Sequence, residues 1–138
     1  MEGCLFCRIV AGEVAAHLVL ADEHAVAFLD HRPLFSGHVL VVPRRHVVTL
    51  PDLPSAEIGD FFRRVQALAA AVPAAVEAEG SFVATNNVVS QSVPHLHVHV
   101  VPRRRKAGLR GFFWPRTRYA DDEEMAAVAL RIRERLAS

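Results

Sequence analysis

The chain carries short runs of apolar residues that are separated by polar turns. These runs cover residues 18–20, 25–29, 38–42, 82–85 and 95–101. The segments between the first three contain Asp, Pro, Ser and Gly, which favour turns. Short apolar runs with such boundaries are typical of β-strands, so the pattern predicts a sheet whose first three strands form an antiparallel meander.

A helical period follows the third run. Between residues 55 and 79 the apolar positions recur every three or four residues, which gives the segment one face to bury on the sheet. Ser55 is suited to cap the start of this helix, and Gly80 is suited to end it. Pro73 lacks a backbone N–H, so it is expected to kink the helix or divide it in two.

Both ends of the chain also favour helices. Residues 4–11 are predicted to form one or two helical turns that end near Gly12. Near the other end, Asp121 and Glu124 have capping-box spacing ahead of a helix that closes with arginines. No internal repeat or linker divides the 138 residues, so the sequence predicts a single α+β domain over residues 1–138.

The overall composition excludes several classes of protein. Sixteen basic and fifteen acidic side chains leave a formal net charge of +1, so no global field favours a nucleic acid or a membrane surface. No apolar run approaches the roughly 18 residues of a membrane span, and the first residues lack the pattern of a secretion signal. The composition therefore indicates a cytoplasmic protein with no membrane partner.

The last predicted strand alternates imidazole and aliphatic side chains. His95, His97 and His99 fall on one face of this strand, while the residues between them face the core. Three identical polar residues in strict alternation favour a functional role over a solvated strand face. Imidazole can bind a metal ion or attack phosphorus near neutral pH, and both uses are open for this row.

The histidines belong to the motif His-φ-His-φ-His-φ-φ, where φ is apolar, which runs from His95 to Val101. This motif resembles the signature of the histidine triad (HIT) family, and the resemblance is strongest to zinc-bearing bacterial proteins of the Hint branch. Residues 4–10, 27–30 and 37–43 are similar to the family's cysteine segment, ribose-binding strand end and central strand. The resemblance implies a five-stranded antiparallel sheet with packed helices, usually in a homodimer, that binds a purine nucleotide.

The resemblance also implies roles for individual residues. His97 matches the nucleophile, and His99 matches the histidine that contacts phosphate and assists the leaving group. Asp30 matches the acid that accepts the ribose hydroxyls, with an ordinary turn residue as the alternative interpretation. The other candidate substrate-binding residues are Asn86, Asn87, Gln91 and Ser92 on the phosphate side, His38 close to the active site, and Phe6 and Ile9 around the base.

Four residues are candidate zinc ligands. Cys4 and Cys7 form a close pair, whose spacing also fits a redox motif or two small core residues. His46 lies in a segment that resembles a zinc-ligand segment of the galactose-1-phosphate uridylyltransferases, and His95 belongs to the triad. Two thiolates and two imidazoles are a common tetrahedral set, so the favoured interpretation is a structural zinc ion held by these four residues.

Two segments differ from the family pattern or lie outside it. The loop at residues 86–94 is shorter than in relatives and lacks a glycine before its glutamine, which leaves the phosphate cradle and the leaving group open. Residues 103–118 combine many cations with Phe112, Phe113 and Trp114. A solvated basic loop, followed by an aromatic segment on a dimer partner, is the favoured interpretation; nucleic-acid binding is the alternative.

The leading hypothesis is hydrolysis or transfer at the α-phosphorus of a nucleoside 5′-monophosphate derivative, such as a phosphoramidate or an adenylate, through a nucleotidyl-histidine. The alternative reactions are cleavage of dinucleoside polyphosphates, as in the Fhit branch, and removal of nucleotides from DNA ends, as in aprataxin. A nucleotide-binding interaction module with little turnover is the alternative of another class, against which the complete triad argues.

Overall fold

A computed structural model describes residues 3–108 and 116–137 of the chain. Its elements are α1 (Leu5–Val10), β1 (Leu18–Ala21), β2 (Ala25–Leu29), β3 (Val39–Pro43), a 3₁₀ turn (Leu50–Asp52), α2 (Ser55–Ala75), β4 (Gly80–Ala84), β5 (Val98–Arg103) and α3 (Asp122–Ala137). The strands form one antiparallel sheet in the order β1-β2-β3-β5-β4. This architecture confirms the predicted α+β fold with a five-stranded antiparallel sheet.

The central strands are buried on both faces because helices cover each side of the sheet. Ala25, Ala27 and Leu29 of β2 belong to the large core under α2 and α3. Val26 and Phe28 face the opposite side, where they pack in a smaller core with α1. β3 divides its side chains in the same way, which explains why both strands appear in the sequence as uninterrupted apolar runs.

The histidine segment joins the sheet later than the alternation predicts. β5 begins at Val98, so the prediction that the strand starts at His95 is wrong. The reason is a change of backbone partner, since the Leu96 N–H donates to the carbonyl of Val47 rather than to a neighbouring strand. The prediction that His38 opens the third strand is wrong by one residue, because β3 begins at Val39.

The predicted division of side chains between two faces holds along this segment. Leu96, Val98 and Val100 lie in the core under α2 and α3. His99 lies opposite Leu40 of β3, which belongs to the smaller core beside α1. The histidine face of β5 therefore looks toward α1, away from the two long helices.

The long helix ends earlier and by a different device than predicted. α2 runs through Pro73 and stops at Ala75, so Pro73 does not divide it. Glu77 adopts the left-handed region with φ of 56°, and the Ala78 N–H donates to the carbonyl of Pro73 at 2.9 Å. This is a Schellman-type cap in which Glu77 takes the position that glycine usually fills. Gly80 does not end the helix and instead opens β4.

The two long helices begin with different caps, of which only that of α3 matches the prediction. Ser55 is already the first residue of α2 and Pro54 holds the cap position, so Ser55 is not the cap. In α3 the Asp121 carboxylate accepts the Glu124 N–H at 2.8 Å, which confirms its capping role. Among the described residues, none of the helices has the length and apolar character that crossing a membrane requires.

Candidate active site and metal cluster

The candidate active site lies on the α1 side of the sheet, where three strand ends meet. His97 precedes β5 directly and His99 is its second residue, while Asp30 follows β2 directly and His38 precedes β3 directly. Because β2 and β3 are antiparallel neighbours, the end of one lies beside the start of the other, and the Asp30 N–H donates to the His38 carbonyl at 2.9 Å. All four residues are buried.

The tautomer of His97 is fixed by a backbone carbonyl. Its Nδ1–H donates to the carbonyl of His95 at 2.8 Å, so the neutral ring carries its lone pair on Nε2. Burial lowers the pKa of His97, while the hydrogen bond to His95 and the carboxylate of Asp30 act in the opposite direction. The ring is therefore neutral near pH 7, with Nε2 as its nucleophilic atom.

His38 and His99 form a second imidazole pair with defined protons. The Leu34 N–H donates to His38 Nδ1 at 3.0 Å, so the proton of neutral His38 is on Nε2. That proton points to His99 Nδ1 at 2.9 Å, which leaves the proton of His99 on its own Nε2. Burial lowers the pKa of His99 to about 3 and holds the pKa of His38 well below its usual range. Both rings are therefore neutral at physiological pH.

Asp30 is held from two sides. Its Oδ1 accepts the Arg32 N–H at 2.9 Å, which is the turn role expected as the alternative for this residue. Its Oδ2 accepts a hydrogen bond from Arg116 Nη1 at 3.0 Å and lies 3.8 Å from His38 Nε2. The carboxylate thus borders the histidines and also organises the turn that follows β2.

The four predicted metal ligands come together in one cluster at the start of α1. Cys7 Sγ lies 3.1 Å from His46 Nδ1 and 3.4 Å from His95 Nδ1. Cys4 Sγ lies 3.5 Å from His95 Nδ1, and the two histidine Nδ1 atoms are 3.2 Å apart. Donor atoms around a tetrahedral zinc ion are separated by about 3.3–3.8 Å, given its bond lengths to sulfur and nitrogen. The donor set and its spacing therefore fit a four-coordinate metal ion.

Neighbouring groups orient the cluster for metal binding. His95 Nε2–H donates to the carbonyl of Pro43 at 3.0 Å, which leaves the lone pair of this ring on Nδ1, toward the cysteines. Burial lowers the pKa of His95 to about 4, so the ring is neutral as a ligand must be. Burial, and next the adjacent Cys4 thiol, raise the pKa of Cys7, so its thiolate would need a neighbouring positive charge such as a metal ion.

Helix α1 connects the metal cluster to the histidine face. Cys4 precedes the helix and its sulfur accepts the Cys7 N–H. Phe6, the second residue of α1, packs edge-on against His97 and against Phe28. The ring centroids are 5.1 Å apart in the first pair and 5.4 Å apart in the second. Phe6 and Ile9, predicted to line the base, are both buried in the smaller core. Their observed contacts are therefore with the protein, and a role at the base stays a prediction.

The polar residues of the loop before the histidines bond mainly to nearby backbone. Asn87 Oδ1 accepts the Leu50 N–H at 2.8 Å, and Asn86 Nδ2 donates to the Ser90 carbonyl at 3.3 Å. Gln91 accepts the Val88 N–H and donates to the Val48 carbonyl, while Ser92 is exposed. These contacts stabilise the loop, and contact of Asn86, Asn87, Gln91 or Ser92 with phosphate stays a prediction.

The loop adopts glycine-type backbone conformations although it contains no glycine. Val88 has φ of 70° and Ser90 has φ of 63°, both in the left-handed region. This region is unfavourable for side chains with a Cβ and most unfavourable for a β-branched residue such as Val88. The loop therefore keeps a tight shape at the cost of local strain.

Sequence reasoning placed Arg116 in a basic segment and missed its contact with the site. Its guanidinium bonds to Asp30, which lies 86 residues earlier in the chain. No local spacing signals such a contact, because only the fold brings the two segments together. Arg105 and Lys106 of the same segment are exposed, as predicted, whereas Arg110, Phe112, Phe113 and Trp114 lie outside the described residues.

Comparison with known proteins assigns the fold and the histidine motif to one family. The pattern of the HIT domain matches residues 11–106. Protein hit of Bacillus subtilis is 34% identical over 99% of this chain and 97% of its own, and the adenosine 5′-monophosphoramidase of Candida albicans is 29% identical over 97% and 91%. A zinc-bound histidine triad family protein from Mycobacterium smegmatis superposes with a TM-score of 0.85 at 34% identity, over 98% of this chain and 94% of that one. The chain therefore belongs to the HIT domain family.

Proposed function

We propose that this protein is a nucleotide hydrolase or transferase that acts at the α-phosphorus of nucleoside 5′-monophosphate derivatives, with His97 as nucleophile. The observation that carries the proposal is the Nδ1–H bond from His97 to the His95 carbonyl, which directs reactivity to Nε2. The resemblance to a yeast adenosine 5′-monophosphoramidase supports phosphoramidates as the substrate class, with adenylates as close chemical relatives.

The reaction has two displacements at phosphorus. In the first, His97 Nε2 forms a bond to the α-phosphorus while the bond to the leaving amine or carboxylate breaks, and a leaving amine takes up a proton from solvent. Because His97 keeps its Nδ1–H, the nucleotidyl-imidazole carries positive charge and is a good leaving group. In the second, water forms a bond to phosphorus and gives a proton to solvent while the bond between phosphorus and Nε2 breaks, which releases the nucleoside monophosphate and neutral His97.

His99 supplies a proton donor beside the nucleophile. Its ring centroid is 5.1 Å from that of His97, and the bond from His38 places its proton on Nε2. In the proposed reaction this N–H donates to a phosphoryl or leaving-group oxygen, where negative charge develops. Asp30 accepts the ribose hydroxyls, a task suited to a carboxylate because each oxygen has more than one lone pair.

We further propose that Cys4, Cys7, His46 and His95 hold a zinc ion. When bound, zinc neutralises the thiolates and cross-links α1 to the segment before β5; with four protein ligands it leaves no corner for substrate. The role of Cys4 and Cys7 is then to anchor Phe6 against His97 through α1. In this proposal His95 is a zinc ligand, so its role differs from that of His97, the nucleophile.

A trapping experiment tests the nucleophile. Wild-type protein mixed with an adenosine 5′-phosphoramidate labelled at phosphorus and quenched in alkali should retain label that acid then releases. His97→Ala should lose the label, whereas His17→Ala, which changes a histidine paired with Asp122 outside the site, should keep it. A labelled His97→Ala protein would show that another group attacks.

A substrate panel tests the leaving group. Wild-type protein should turn over an adenosine phosphoramidate or an aminoacyl adenylate faster than a dinucleoside triphosphate or an adenylated DNA end. Faster turnover of either of the last two would contradict the proposed substrate class and favour the corresponding alternative reaction. Binding of nucleotide without turnover of any substrate would favour an interaction module.

A further inference from the structure

A segment near the end of the chain is fastened across the turn that carries Asp30. We call residues 116–119 the strap. The Thr117 N–H and hydroxyl both donate to the Pro33 carbonyl, at 2.8 and 3.0 Å. Tyr119 is buried in the main core, and its oxygen accepts the Gly37 N–H at 2.9 Å. The strap is therefore hydrogen-bonded at two points, Pro33 and Gly37, of the segment that follows Asp30.

Arg116 is the strap residue that reaches the site itself. Its Nη1 donates to Asp30 Oδ2 at 3.0 Å and to the Arg32 carbonyl at 2.8 Å. The Arg32 N–H holds the other oxygen of the same carboxylate. One donor thus binds each oxygen of Asp30, which fixes the plane of the carboxylate and keeps its negative charge compensated.

The number of lone pairs indicates what this arrangement leaves for a ligand. An ionised carboxylate offers about four acceptor positions, two on each oxygen. Among the described residues, Arg32 and Arg116 occupy one position on each oxygen of Asp30. His31 Nδ1 lies 4.0 Å from Oδ1 and His38 Nε2 lies 3.8 Å from Oδ2, both beyond hydrogen-bond distance. One position on each oxygen then remains, which is the arrangement that two adjacent hydroxyl groups require.

Resting on the function proposed above, we propose that Arg116 is a positioning residue that presents the Asp30 carboxylate to the 2′- and 3′-hydroxyls of the nucleotide. Arg116 then acts on ribose recognition through Asp30 and makes no contribution to a substrate without the diol. If Arg116 contacted phosphate directly, it would strengthen the binding of every nucleotide, with or without the diol. If its guanidinium blocked Asp30, it would weaken the binding of all substrates that carry the diol.

Binding of two ligands tests these roles. For Arg116→Ala, the dissociation constant of adenosine 5′-monophosphate should rise about tenfold, as for the loss of one charge-assisted hydrogen bond, while that of the 2′,3′-dideoxy nucleotide should stay unchanged. Arg118→Ala, at an exposed neighbouring position, should leave both constants unchanged. An equal loss for both ligands, or tighter binding of either, would overturn the inference.

Two further measurements separate positioning from a structural effect. In the phosphoramidates of the same two nucleosides, Arg116→Ala should raise KM about tenfold for the ribonucleoside and leave kcat within about twofold, and Arg116→Lys should recover part of the loss. In an Asp30→Asn background, Arg116→Ala should cause no further change; an additional loss there would overturn the inference.

The same experiments distinguish failure of the inference from failure of the proposed function. If wild-type protein binds the ribonucleotide more tightly than the dideoxy nucleotide but hydrolyses no phosphoramidate, the proposed function fails and the binding measurements still decide the role of Arg116. If wild-type protein turns over both phosphoramidates without preferring the diol, the inference fails and the proposed function stands.

Discussion

Two groups of side chains on the α1 side of the sheet each bring possible metal ligands within 4.8 Å of one another. One contains Cys4, Cys7, His46 and His95, and the other contains Asp30, His38 and His99. In the first group the Pro43 carbonyl turns the His95 lone pair toward two sulfur atoms, and burial raises the pKa of Cys7. In the second, a ring N–H joins the two histidines, and Arg116 already neutralises the carboxylate.

The difference shows that proximity of ligand atoms does not by itself define a metal site. A cation requires lone pairs that converge and charge that is otherwise uncompensated. The donor atoms of the first group converge, and its thiols can supply the charge by losing their protons on binding a cation. In the second group the Nδ1 lone pairs of both histidines and the charge of the carboxylate are already taken up in a hydrogen-bonded network, which suits binding and catalysis.

The largest effect is expected at the metal cluster. Wild-type protein should hold about one zinc ion per chain, and Cys7→Ser should hold none and lose about 3 kcal/mol or more of its free energy of unfolding, because the cross-link through α1 is lost. Metal analysis and denaturant unfolding measure both. Asp30→Asn should leave the metal content unchanged. Loss of zinc in Asp30→Asn, or its retention in Cys7→Ser, would contradict the contrast.

A smaller effect should appear on acidification of the second group. The pKa of His99 is lowered by burial from 6.5 to about 3, so below about pH 6.5 the unfolded chain takes up a proton that the folded chain does not. The contribution of His99 to the free energy of unfolding is therefore fully present above about pH 6.5 and decreases as the pH falls below that value. Between pH 7.5 and pH 5 the loss is about 2 kcal/mol.

The matched variant for this decline is His99→Gln, which does not titrate. Its free energy of unfolding should decrease less than that of wild-type protein between pH 7.5 and pH 5, by about 2 kcal/mol. Equal declines in wild type and His99→Gln would show that the buried pair does not resist protonation.

Removal of the Tyr119 hydroxyl should weaken the attachment of the strap beside the second group and leave the metal cluster unchanged. Tyr119→Phe leaves the buried Gly37 N–H without its acceptor, which should reduce the free energy of unfolding by about 1 kcal/mol. Zinc content should be unchanged, because the strap does not touch the metal cluster. Calorimetric unfolding with metal analysis checks both statements, and a change in metal content would indicate that the two groups are coupled.

The smallest effect is expected in the loop, outside both groups. Val88→Gly should stabilise the protein by about 0.5 kcal/mol, because relief of a strained φ exceeds the entropic cost of glycine. Val89→Gly, at an equally exposed neighbour without a positive φ, should destabilise it by about 0.5–1 kcal/mol. Destabilisation by both substitutions would contradict strain at Val88.

Particular residues show how far the sequence could predict this molecule. Alternation from His95 to Val101 was enough to predict the two faces, since a strand offers only two directions for side chains. The early end of α2 could not be predicted, because a left-handed glutamate, Glu77, closes the helix. The contact of Arg116 with Asp30 depends on tertiary folding, so no local pattern reveals it.

The most direct test of nucleophilic attack by His97 is to identify the atom that carries the nucleotide. Protein labelled with ¹⁵N at histidine, trapped with an adenosine 5′-phosphoramidate and held in alkali, can be analysed by NMR for coupling between phosphorus and nitrogen. We expect phosphorus on Nε2 of His97, because Nδ1 donates to the His95 carbonyl. Phosphorus on Nδ1 of His97, or on any other histidine, would contradict this expectation.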